Sequence, residues 1–179
     1  TISNTPQYIE YHAFRECRSL ETLTIPYVGY SRGGTGNDSN TLNYMFGDSY
    51  YNGQIYGVVN GANSFATSYP VARRQYYNAS NYTDRYYPAN FSKLTVTNET
   101  EIGYGAFMNI TTLKEINLNE GVKIVNDRAF EGCTGLTDIK IPNEVTKIGD
   151  RAFLSADTMC DCGSVMPIVE RLEGRTLDF

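Results

Sequence analysis

Ala-Phe recurs in this chain at one fixed place of a 23-residue unit. Ala106-Phe107, Ala129-Phe130 and Ala152-Phe153 follow one another at that spacing, and Ala13-Phe14 repeats the dipeptide near the start. Each Phe lies five residues after an apolar Ile9, Ile102, Val125 or Ile148. Two positions kept in step over several units define a register, and a period of this length belongs to stacked repeats rather than to a core built once.

The rest of the unit follows the same step. Leu20, Leu23 and Ile25 come after the first Ala-Phe; Leu113, Ile116 and Leu118 after the second; Leu136, Ile139 and Ile141 after the third. A matching Phe91, Leu94 and Val96 precedes Ala106-Phe107. The last two members of each triplet alternate with polar residues, the period of a strand buried on one face. The Ala-Phe segment is too short for a long helix and fits a single helical or 3₁₀ turn on the other side of a coil. One such coil cannot bury its apolar face alone, so neighbours must stack and share a ladder of Phe, Leu and Ile.

Composition narrows the function classes. A chain of 179 residues with 41% apolar content supports one folded domain, and a formal charge of −5 with no basic block argues against a nucleic-acid footprint or an anionic membrane surface. No window approaches the roughly 18 consecutive apolar residues of a membrane span. The start, Thr1-Ile2-Ser3-Asn4, lacks the regions of a signal peptide, and the chain opens inside a repeat, as a longer protein or a removed export signal would leave it.

The segments Val145-Thr-Lys-Ile148-Gly149-Asp-Arg-Ala152-Phe153 and Ala129-Phe130-Glu-Gly-Cys133-Thr-Gly-Leu136-Thr-Asp-Ile139-Lys-Ile141-Pro142 resemble the BspA-like class of leucine-rich repeats over about residues 1–26 and 91–153. The resemblance implies a β-rich α/β repeat solenoid, a right-handed coil of 23-residue units. It also implies an extracellular or cell-surface protein of a family that includes adhesins, without enzymatic activity in the repeat itself. The partner expected on this basis is a host or surface protein; the alternatives are a carbohydrate-binding module, for which the Tyr-rich segment 27–90 would supply rings to stack on sugars, and a purely structural spacer of a larger surface protein.

One interval breaks the rule. Ile25 and Val96 hold equivalent places, yet residues 27–90 lie between them and carry twelve of the fifteen tyrosines amid Asn, Ser and Gly. The chain thus divides into N-terminal repeats (1–26), a Tyr-rich degenerate insert (27–90), regular repeats (91–153) and a cap or tail (154–179), in which 166–174 could form a short amphipathic helix. Inside the insert, Leu42-Asn-Tyr-Met-Phe46-Gly resembles a worn Ile-x-x-x-Ala-Phe segment and Gln54–Val59 could be a strand. A long structureless loop inside a compact domain is the less physical alternative.

The insert has the composition of a paratope, in which tyrosine supplies broad amphipathic contact at low entropic cost. Tyr44, Tyr50, Tyr51, Tyr56, Tyr76, Tyr77 and Tyr82 are the candidate binding residues. The competing account is that worn repeats use tyrosines to cover an imperfect core, with the hydroxyls reaching water. On the ladder, Thr22, Lys93, Glu115 and Asp138 should form one exposed column and Thr24, Thr95, Asn117 and Lys140 the next. Their mixed charges and lack of an aromatic anchor suggest a solvated scaffold face.

Catalytic chemistry finds no support. His12 shares a turn position with Gly105, Arg128 and Arg151, and Asp127 and Asp150 are equivalent turn residues rather than a carboxylate dyad. Cys17 and Cys133 both stand three residues after Phe and read as small buried hydrophobes. Cys160-Asp-Cys162 is the one close pair, too few ligands for a metal beside a single histidine. No catalytic residue, metal or cofactor is expected. Asn-x-Ser/Thr sites at Asn37, Asn78, Asn81, Asn90, Asn98 and Asn109 matter only in a eukaryotic secreted setting.

Overall fold

The computed structural model describes residues 1–154 except 16, 18, 35, 47–49, 52, 53, 56–72, 86 and 137. In chain order the elements are β1 (Thr22–Ile25), a 3₁₀ turn (Asp38–Asn40), α1 (Leu42–Phe46), β2 (Tyr50–Tyr51), β3 (Gln54–Ile55), β4 (Arg73–Tyr76) and β5 (Tyr82–Arg85). They are followed by β6 (Lys93–Val96), β7 (Glu101–Ile102), β8 (Glu115–Asn117), β9 (Ile124–Val125), β10 (Asp138–Lys140) and β11 (Lys147–Ile148).

The strands predicted from the triplets pair in parallel in the order β1-β6-β8-β10. Their register matches the repeat: Thr22, Lys93, Glu115 and Asp138 stand side by side, as do Thr24, Thr95, Asn117 and Lys140. Leu23, Leu94, Ile116 and Ile139 point inward and are buried. A second parallel sheet, β7-β9-β11, runs through the apolar residue that precedes each Ala-Phe. The core lies between the two sheets and the Ala-Phe turns.

Those turns are built from i→i+3 bonds, such as Met108 N–H to Gly105 O and Ile110 N–H to Phe107 O, as the short spacing predicted. They stack because each Phe N–H donates to the Ala carbonyl of the next coil, Phe107 to Ala129 at 2.8 Å and Phe130 to Ala152 at 2.7 Å. His12, Gly105, Arg128 and Arg151, the shared turn position, all have a left-handed backbone, with φ from 54° to 66°. An L-residue there costs roughly 1–2 kcal/mol, offset in the regular coils by the reversal that turns Ala106, Ala129 and Ala152 into the core. Phe107, Phe130 and Phe153 form a nearly parallel ring ladder, with centroids 4.9 and 5.1 Å apart.

The interruption is partly stacked. Tyr30 O accepts from Ile9 N–H, and Met45 O accepts from Phe14 N–H at 2.8 Å, the bond that Ala129 makes to Phe107. Met45-Phe46 therefore holds the Ala-Phe place of one worn coil that begins near Tyr30 and ends in β6. Within that coil the chain also leaves the stack to form the antiparallel hairpins β2-β3 and β4-β5.

Where regular coils meet backbone to backbone, the worn coil keeps one such bond, Leu42 N–H to Ala106 O at 2.9 Å, and side chains add others. The buried Gln75 donates its amide to Ala106 O (3.0 Å) and Met108 O (3.4 Å) and accepts from Asn43 N–H (3.2 Å). Ala106 and Met108 match Ala129 and Glu131, whose carbonyls accept from Phe107 and Asn109 N–H. The buried Tyr87 hydroxyl likewise donates to Asn109 O and accepts from Thr111 N–H. Gly105 admits the hairpin, since a Cβ there would lie 1.9 Å from Tyr76 O.

Three expectations need revision. Cys133 is buried, its thiol against Phe107 O of the preceding coil, but Cys17 is exposed. Of Gln54–Val59, Gln54–Ile55 is a strand as expected, but it pairs as a hairpin rather than joining either parallel sheet, and 56–59 lie outside the described residues. The expected α character reduces, among the described residues, to α1 and the 3₁₀ turn. The C-terminal helix expected at 166–174 lies outside the described residues.

Candidate functional site

In the second sheet the position before each buried apolar residue points outward, and regular coils fill it with Glu101, Ile124 and Lys147. The first coil places Tyr8 there, 54% exposed. The worn coil brings Tyr30 beside it through the Ile9–Tyr30 backbone bond. The bend before Tyr30 needs Gly29, whose φ is 81° and whose Cβ, if present, would lie 2.1 Å from Ser39 O. Helix α1 contributes Tyr44, whose carbonyl accepts from His12 N–H at 3.4 Å.

A continuous aromatic row results. Tyr8 stacks on Tyr30 at 4.8 Å, Tyr30 meets Tyr44 edge-on at 6.3 Å, Tyr44 tilts against Tyr11 at 5.1 Å, and Tyr11 stacks on His12 at 3.6 Å. Apart from Tyr8 these rings are half-buried. Their mutual packing holds them in place before any ligand arrives, which limits the ordering entropy that binding would cost.

The predicted tyrosines separate. Tyr44 belongs to the row. Tyr76 and Tyr82 face each other across the β4-β5 hairpin at 5.4 Å, with Tyr82 44% exposed, and Tyr77 is half-buried at the hairpin end. Tyr50 and Tyr51 lie on β2, with side chains outside the described residues, and Tyr56 lies wholly outside them. The insert also spends tyrosines on packing. Tyr87 is buried, and so is Tyr27, whose hydroxyl donates to Pro6 O. Burial, and then the charge of Glu99, push the Tyr27 phenol up from its ordinary value.

Tyr8, Tyr11 and Tyr30 are not among the binding residues expected from the sequence, and His12 was expected only as a turn residue. The signal for Tyr8 was available, since an aromatic residue stands where two of the three regular coils put a charge. The contacts of Tyr30 and Tyr44 with the first coil obey no period.

The ladder face offers less. Lys93 Nζ meets Glu115 Oε1 at 2.6 Å, and Asn117 donates to the same oxygen at 2.8 Å, so these three groups satisfy one another within the face. On the turn side the mostly buried Glu131 receives Arg151 through Nε at 3.3 Å and Nη2 at 2.9 Å, with Arg128 Nε at 3.6 Å. That pairing raises the Arg151 pKa above its ordinary value and ties consecutive turns together. Asp150 N–H donates to Asp127 Oδ1 at 2.9 Å, the arrangement of a repeated turn.

Among the described residues no group of three His, Cys, Asp or Glu side chains could hold a metal, and no helix is long and apolar enough to cross a membrane. Cys160 and Cys162 lie outside those residues.

The chain matches the family described as BspA type leucine rich repeat region, in six copies, over residues 1–33 and 81–162. The match extends past Ile25 through the loop that carries Tyr30 and resumes at the second hairpin, leaving 34–80 as its gap. Comparison with curated proteins and with solved structures found no match. With matched segments that span more than half of its length, the chain belongs to the BspA-type leucine-rich-repeat family.

Proposed function

We propose that this chain is a non-enzymatic, adhesin-like binding module of a cell-surface or secreted protein, a right-handed solenoid whose contact surface is the aromatic row around the worn coil. The observation that carries this reading is the run Tyr8, Tyr30, Tyr44, Tyr11 and His12, preassembled and partly exposed, in contrast to the ladder face, where Lys93 and Glu115 pair with each other. Repeats of this family are generally a protein-interaction fold, which fits the reading. The hairpin pair Tyr76 and Tyr82, with Tyr77, forms a second contact patch; Tyr50, Tyr51 and Tyr56 belong to the same proposal on sequence grounds.

A protein partner is favoured over a glycan. A pyranose needs an open ring face, whereas Tyr8 and Tyr30 turn faces toward each other and Tyr11 turns one toward His12. What remains for contact is the exposed part of Tyr8 and of the half-buried Tyr30 and Tyr44, amphipathic surface of the kind with which tyrosines anchor protein interfaces.

The test is a binding screen of the chain against immobilised matrix proteins, mucins and cell surfaces, with a glycan array in parallel. Tyr8→Ala and Tyr30→Ala should each weaken the strongest protein hit by about tenfold or more, while Lys93→Ala should leave it unchanged. A hit insensitive to both tyrosine variants, or one confined to the glycan array, would refute the row as a protein-binding surface.

A further inference from the structure

The 23-residue register equates Glu99 with Val122 and Val145. Both valines are buried in the regular coils, and Glu99 is buried as well, only 1% exposed. A carboxylate thus occupies a core position that the next two coils give to valine. Burying such a group costs free energy unless its oxygens are matched.

The match comes from the worn coil. Glu99 Oε1 accepts from Gly33 N–H at 2.7 Å and from Thr100 N–H at 2.9 Å, and Oε2 accepts from Val28 N–H at 3.2 Å. Asn119 clamps the Glu99 backbone from the following coil, accepting its N–H and donating to its carbonyl, both at 2.8 Å. Val28 and Gly33 bracket Tyr30. The loop between them turns through left-handed Gly29 and Gly33, conformations a free loop would leave readily, and Arg32 within it is exposed.

We propose that Glu99 is a positioning residue: by holding Val28 and Gly33 on its two oxygens it fixes the loop that inserts Tyr30 between Tyr8 and Tyr44, and so sets the shape of the aromatic row. That the shape selects a partner rests on the binding role proposed above; the anchoring of the loop does not. In a merely structural role, valine would serve as well, as it does in the next two coils. The polar group is required only by the loop.

This contrast gives the test, made on the full chain. Glu99→Val restores the residue type of the regular coils, so its Tm should equal or exceed that of wild type. Amide exchange at Val28 and Gly33 should accelerate by about tenfold or more through local opening, and native-state tryptic cleavage after Arg32 should rise with it. Exchange at Leu94 and Ile116 in the ladder should stay slow. Glu99→Gln keeps one carbonyl oxygen for Gly33 and Thr100, so it should open the loop less; it decides the matter if Glu99→Val does not fold. Unchanged exchange and cleavage at 28–33 in the folded variant would overturn the assignment, even if Tyr30→Ala abolished binding. Local opening with an intact ladder supports it, even if the row binds nothing.

Discussion

The regular coils from Ile102 to Phe153 and the worn coil from Tyr30 to Val96 solve one problem by different chemistry. Each must present a neighbour with an apolar face and a matched set of backbone groups. The regular coils do so by repetition: Phe107, Phe130 and Phe153 stack nearly parallel, and turn carbonyls meet turn N–H groups one coil away. In the worn coil Phe46 sits tilted against Phe14 and edge-on to Phe91, Gln75 and Tyr87 bring side-chain hydrogen bonds to turn carbonyls of the next coil, and Glu99 from that coil holds the loop that opens it. Buried polar residues follow this division, since among the described residues Asn40, Thr41, Asn43 and Gln75 lie within the worn coil and Glu99 bonds to it, leaving Glu131 to the regular turns. An irregular coil can be stacked, but it needs specific polar groups at specific places, and its surplus aromatic residues reach the surface.

The largest expected effect contrasts the two packings. Phe130→Ala removes the middle ring of the ladder and should cost about 3–5 kcal/mol, the usual range for a buried aromatic side chain. Phe46→Ala, in a looser cluster better able to close around the gap, should cost about 3 kcal/mol or less. Denaturant unfolding of both variants measures the difference; equal losses would mean that the two coils are packed alike.

Gly105→Arg is the next probe. It installs the residue found at the same left-handed position in the two following coils, so repetition alone predicts a neutral or stabilising change. The Tyr76 carbonyl in the path of its Cβ predicts instead a loss of about 1–3 kcal/mol, with amide exchange rising first in β4 and β5. Gly105→Ala should show the same sign, since Cβ is the atom that collides.

A smaller effect is pH-dependent. Burial holds the Glu99 pKa above the ordinary glutamate value despite its N–H partners. A carboxyl with a raised folded-state pKa contributes fully below the unfolded value, and that contribution is lost as pH rises through the folded value. Wild type should therefore lose stability relative to Glu99→Val as pH rises from the ordinary glutamate range toward neutrality. Unfolding curves at several pH values test the sign, and a gap that narrows with rising pH would contradict it.

The smallest effect concerns reactivity rather than stability. Cys133 donates to Phe107 O at 2.9 Å and its thiol is pushed up to about 12 by burial, whereas Cys17 is exposed. Iodoacetamide at mildly alkaline pH should label Cys17 in the native protein and Cys133 only on unfolding. Peptide mapping distinguishes them, and comparable labelling of both would show the regular coils to be as open as the edge.

The legible part of the fold was the part that repeats. Phe107, Phe130 and Phe153 implied their own stacking, and the columns beginning at Thr22 and Thr24 appear in the sheet as the register required. Leu42–Phe46 was readable as a worn turn because it kept an apolar residue ahead of a Phe, though at four residues rather than five. Of the candidate site, Tyr44 and the Tyr76–Tyr82 pair were within reach, while Tyr8 and Tyr11 went unselected because their significance depends on Tyr30 arriving beside them.

The sequence by itself determined the register, hence which residues of neighbouring coils touch, because a fixed period puts equivalent side chains in equivalent surroundings. Only the tertiary structure decided which tyrosines pack and which reach solvent, why Glu99 replaces a core valine, and that Cys17 faces out. Those outcomes depend on contacts between segments that share no period, such as Val28 and Gly33 with Glu99, and nothing local to either segment specifies the other.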